Sequence, residues 1–164
     1  MTLSSDQRAQ VRSIVVGAYE RQGRHLAAEN KSSAAEDSLK SAMGMAHGDE
    51  KVRIAATILG IINDRVKSAH NYGDQVTHNL HRFTFIYENP DAFGHEYQTL
   101  MDSATEDLKR LKENAPNMPL KNTYVAAINR TLGIDVPSRG VMGALYGASS
   151  RVLLWVRRLW GGPS

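Results

Sequence analysis

The chain has 164 residues, 41% of them hydrophobic and 23% charged, with no cysteine. That is enough for one packed core, it argues against disorder, and it excludes disulfides, thiolate metal sites and a cysteine nucleophile. The net charge is +3, but residues 116–164 carry +5 while residues 1–115 carry −2, so an electrostatic partner is to be sought at the C-terminal end.

Ser4-Ser5-Asp6-Gln7 has the form of a capping box and predicts a helix from there to about Asn30. Val11, Ile14, Val15, Ala18, Tyr19, Gln22 and Leu26 recur at helical spacing and define its expected inner face, leaving Arg8, Arg12, Glu20 and Arg24 outward. A shorter helix follows the Asn30-Lys31-Ser32-Ser33 break, from Ala34 to Met45, before Gly44, Gly48 and Asp49 interrupt the pattern. From Asp49 the chain is apolar on all sides through Ile62, which suits a central helix surrounded by others and continuing to about His70.

Asn71-Tyr72-Gly73-Asp74 reads as a turn or kink, followed by a helix face of Val76, Leu80, Phe83 and Tyr87. The alternation of Phe83, Phe85 and Tyr87 makes residues 82–87 the best strand candidate in the chain, with helix preferred. Asn89-Pro90-Asp91 predicts a helix start, with Asn89 as cap and Pro90 at the first turn. Its apolar stripe runs from Phe93 through Tyr97, Leu100, Met101, Ala104 and Leu108 to Leu111, ending near Asn114 ahead of Pro116 and Pro119. A short helix over residues 122–132 is expected to close at Gly133, with Ile134 making the hydrophobic contact that accompanies such a cap.

The last helix is expected over residues 138–160. On a helical wheel Met142, Leu145, Val152, Leu153, Val156, Leu159 and Trp160 share one side, and Arg151, Arg157 and Arg158 the other. Ahead of them, Gly140, Gly143, Ala144, Gly147 and Ala148 leave a flank that another helix can approach closely. The fold expected is therefore all-α: one domain, an irregular bundle of six or seven helices, with residues 116–137 as a hinge candidate.

Two constellations carry functional expectations. The first is the basic amphipathic C-terminal helix, whose Arg151, Leu154, Trp155, Arg157, Arg158 and Trp160 form a surface for a protein partner, for self-association or for an anionic membrane surface. The plainer reading docks this helix on the core with its arginines in solvent. Nucleic acid is disfavoured, because no recognition motif accompanies the arginines and the acidic body repels a duplex.

The second is the row His70, Asp74, His78 and His81, spaced four, four and three residues apart, which fall on one face if a single helix covers them. Imidazoles and a carboxylate in such a row suit a divalent metal or a histidine base oriented by Asp74, but no ligand from a second helix is identifiable by spacing. Solvated or locally hydrogen-bonded histidines are the competing account. His95-Glu96 opens like a zinc-protease motif, yet Thr99 stands where the second histidine belongs. No phosphate loop or serine nucleophile elbow is present either.

The reading that results is a non-enzymatic helical interaction protein, an adaptor, regulator or effector-like module, with no cofactor. The alternative is a metal-assisted hydrolase built on the histidine row. The polar N-terminus lacks the form of a secretory signal, and the longest uncharged apolar stretch, residues 54–62, is far short of the about 20 residues a spanning helix needs. An integral membrane protein is therefore not expected, and the chain is placed in the cytoplasm or on an export route independent of a signal peptide.

Overall fold

Ser4 accepts a hydrogen bond from the Gln7 amide while Gln7 reaches back to the Ser4 amide at 2.8 Å, and this reciprocal cap starts the first helix, α1, Ser5–Ala28. The computed structural model describes residues 2–133. After α1, Asn30 takes a left-handed conformation (φ 60°) that turns the chain back into α2, Ser32–Met45. Ala46 and His47 are extended, and α3 follows, Gly48–Ser68. Gly44 is absorbed inside α2 and does not end it.

Asn71 caps the next helix, α4, Tyr72–Glu88, through a 2.8 Å bond from the Asp74 amide to its Oδ1. Residues 82–87 are helical: Phe83, Phe85 and Ile86 are all buried, so what looked like strand alternation is a helix enclosed on two sides. Pro90 begins a single short turn, α5, Pro90–Phe93. Gly94 then adopts φ 52°, ψ −121°, closed to L side chains, and leads through a 3-10 turn, Gly94–Glu96, into α6, Tyr97–Glu113.

The uninterrupted helix expected from Asn89 to Asn114 is thus broken at Gly94, and the Asn89 side chain donates back to the Phe85 carbonyl at 2.7 Å, leaving the new turn without a side-chain cap. The last described helix, α7, is Lys121–Leu132. Gly133 stays right-handed at φ −79°, so the left-handed closure expected there is not made, and Ile134 lies outside the described residues. So do residues 138–160.

The fold is all-α. Each helix packs on the one before it, α1 on α2, α2 on α3, α3 on α4, α4 on α6 and α6 on α7, with α5 against α3 and α7 also touching α4. A continuous core runs through the row, from Val16 and Leu39 past Ile54, Ile58, Ile62, Phe83 and Ile86 to Met101, Leu108 and Ile128. Burying such side chains contributes about 1.5–3 kcal/mol each.

Two helices differ from their expected exposure. In α1 the buried residues are Val16, Glu20 and Gly23, while Val11, Ile14, Ala18 and Tyr19 are exposed. At about 100° per residue these two sets lie on opposite sides of the helix, apart from Tyr19 on a flank. The smaller face won because it admits close contact: a Cβ on Gly23 would fall 2.6 Å from Leu39 Cγ. In α3, Val52, Ala56 and Gly60 form an uncovered stripe, so among the described residues this helix is not enclosed on all sides.

Candidate functional site

The structure does not bring all four residues of the histidine row together: Asp74, His78 and His81 lie along one face of α4, and His70 lies outside it. Because Asn71 caps α4, His70 is left in the connection ahead of the helix, exposed. Asp74 is taken up by the cap itself, its amide and its carboxylate both bonded to the Asn71 side chain. Only His78 and His81 remain on the helix facing neighbours, and they face different environments.

His81 Nε2 lies 2.5 Å from Glu36 Oε1. Glu36, from α2, is 3% exposed and also takes Lys40 Nζ at 2.6 Å and Arg65 Nη1 at 3.0 Å. Burial alone would push its carboxyl up, but the His81 hydrogen bond and the charges of His81 and Lys40 outweigh this and hold it at about 2. A carboxylate whose two oxygens accept from α2, α3 and α4 is a strut joining three helices, and its low pKa makes it a poor proton acceptor.

His78 is pushed the other way. Burial, with Arg65 nearby, lowers its pKa below 6.5, and its buried Nδ1 has no hydrogen-bond partner among the described residues. It sits at the edge of the Glu36 cluster, with the uncharged form of its imidazole favoured. No group of three or more His, Asp or Glu among the described residues is placed to hold a metal ion.

A second buried carboxylate, Glu20, ties α1 to α3. Arg53 grips it with both guanidinium nitrogens, one at 3.0 Å, and Arg24 adds a 2.7 Å contact. The Arg53 hydrogen bond, working against burial, holds this carboxyl below its ordinary range. Glu20 therefore points inward, opposite to its expected outward position. Neither Glu20 nor Glu36 stood out in the sequence. The available signal was Glu36 sitting inside the stripe Ala35, Leu39, Ala42 and Met43.

What the described fold leaves open is the N-terminal half of α1. This helix is ten residues longer than α2, the helix it chiefly packs on, a difference of about 15 Å. All residues from Thr2 to Ile14 are exposed, Val11 at 49% and Ile14 at 68%. Val11, Ile14, Val15 and Ala18 form one stripe on the wheel, with Arg8 on one flank and Arg21 on the other.

The partner-binding residues expected from the sequence, Arg151, Leu154, Trp155, Arg157, Arg158 and Trp160, lie outside the described residues. None of the described helices is long and apolar enough to cross a membrane. Set beside known proteins, the chain matches no family model, no curated protein and no solved structure.

Proposed function

We propose that this chain is a helical interaction protein, an adaptor or regulator without catalytic chemistry of its own, and that it grips a protein partner through the exposed outer face of α1. The supporting observation is Ile14: a large aliphatic side chain, 68% exposed, at the centre of a stripe that no described residue covers. Single exposed aliphatics are ordinary on protein surfaces, but Val11, Ile14 and Ala18 at helical spacing are the anchors of a helix-in-groove contact. Arg8 and Arg21 beside them select a groove with an acidic rim. The fold serves this purpose by holding the base of α1 firmly, through Glu20 with Arg53 and through Ser38, whose hydroxyl donates to the Tyr19 carbonyl at 2.9 Å.

A photo-crosslinking residue at Ile14, introduced in the cell of origin, tests this. It should trap one protein of defined mass through an acidic, apolar segment, and Val11→Asp should abolish the adduct. The same probe at Lys67, on the exposed end of α3, is the control. An Ile14 adduct pattern no different from that at Lys67 would remove the reading.

A further inference from the structure

The uncovered stripe of α3 is one wall of a groove of about 360 Å³, whose other wall is α5, the 3-10 turn and the start of α6. Its floor is apolar, with Leu59, Phe93 and Leu100, and its α3 wall is Val52, Ala56 and Gly60. Nothing lies within 4 Å of where a Cβ on Gly60 or Gly94 would stand. Val52 is 46% exposed, and Ala56 and Gly60 beside it are exposed too. Among the described residues no layer covers this stripe, and an apolar helix face is where another element packs.

Charge identifies the layer. Asp91 and Glu96 line the groove, and Asp64, exposed, stands one turn beyond Gly60 on the same side of α3. Lys51 pairs with Asp91 and His95 lies 4.0 Å from Glu96, so the net negative charge of the rim rests on Asp64 and Glu96. The chain beyond Gly133 carries four arginines against one aspartate.

Position agrees. Tyr124, near the start of α7, packs edge-on against Tyr72 at the start of α4, and Tyr72 bonds the Leu111 carbonyl near the end of α6. From there α7 packs against α4 and α6 and ends at Leu132. Thirty-one residues follow Gly133. Residues 134–137 can span about 13 Å, and a helix over 138–160 would be about 34 Å long, enough to cross a small domain.

We propose that residues 138–160 fold back onto this same chain and seat their apolar side in the groove between α3 and α5–α6, with Arg151, Arg157 and Arg158 facing Asp64, Asp91 and Glu96. The segment is then the missing layer of α3. This is independent of the α1 reading, since α1 makes no part of the groove.

The chain's two tryptophans, Trp155 and Trp160, both lie in this segment, so intrinsic fluorescence reports on it alone. The full chain at low concentration should show blue-shifted tryptophan emission that resists iodide quenching. Gly60→Leu, which fills the groove from a helical position with open space around it, should shift the emission to the red and raise the quenching constant several-fold. Asp64→Lys combined with Glu96→Lys should act in the same direction, with far-UV circular dichroism confirming that all variants are folded. Because the chain has no cysteine, a nitroxide on Asp64→Cys at the rim provides a second readout, and it should quench the tryptophans of the otherwise wild-type chain.

Solvent-type emission in the wild type, or protection that Gly60→Leu and the nitroxide both leave untouched, would overturn the proposal. So would protection that appears only with dimer mass at high concentration, which would make the occupant a second copy. Protection seen only with phosphatidylglycerol vesicles would assign the segment to lipid instead.

Discussion

Gly23 of α1 lies so close to α2 that a Cβ there would stand 2.6 Å from Leu39 Cγ and 3.1 Å from the Ala35 carbonyl oxygen. The α1–α2 contact is therefore set by a missing side chain, and neither obstacle is the free tip of a flexible group. Gly23→Ala should destabilise the protein by about 1–3 kcal/mol despite the better helix propensity of alanine. A urea midpoint no lower than wild type would show that the helices separate without cost.

Gly44, in the last turn of α2, has nothing within 4 Å of its Cβ position and an ordinary helical backbone. The same exchange should here have the opposite sign, Gly44→Ala raising stability by about 0.5–1 kcal/mol in the same titration. The pair separates packing from propensity within one fold.

The sequence made the helical class and most boundaries legible because the signals were local: the Ser4 box, Asn71 before Asp74, and the prolines after Asn114. It misassigned the faces of α1 because periodicity ranks sides by greasiness, and the more apolar side lost to the one that permits contact at Gly23. The break at Gly94 carried no periodic signal, since the stripe from Phe93 to Leu111 continues across it. The Glu36 cluster joins residues 29 and 45 positions apart, a pairing that no spacing rule reaches.

Glu36 gives the protein an acid sensitivity whose sign is fixed. Its folded pKa of about 2 lies below the 4.5 of an unfolded glutamate, so its contribution is fully present above 4.5 and is lost as pH falls from there toward 2. Integrated over that window the effect is about 3 kcal/mol, an order-of-magnitude figure for a cluster whose cations are partly exposed. Glu36→Gln should lower stability at neutral pH by a similar amount, about 3 kcal/mol. The variant should also flatten the dependence between 4.5 and 2 relative to wild type, and urea midpoints that fall in parallel for both proteins would contradict this role.

His78 acts at milder pH. Burial and Arg65 place its folded pKa below 6.5, so the unfolded chain binds the extra proton first, and stability falls as pH drops through 6.5. His78→Leu removes both the titration and the unpaired Nδ1, and it should leave stability above 6.5 unchanged or higher. A variant that still weakens as steeply as wild type just below 6.5 would move the effect to another histidine.

The two faces of α1 can be told apart by matched truncations. Val16 is fully buried, so Val16→Ala removes packed methyl groups and should cost about 2 kcal/mol, even after alanine's gain in helix propensity. Ile14 is larger, yet it is 68% exposed and touches no layer, so Ile14→Ala should stay within about 0.5 kcal/mol of wild type. If the stripe at Ile14 were instead an inner face, the order would reverse and Ile14→Ala would cost about 2–5 kcal/mol. Retained stability in Ile14→Ala, together with loss of the position-14 adduct in Val11→Asp, is the combination that a surface used for recognition produces, because the side chains then contribute to the complex and not to the fold.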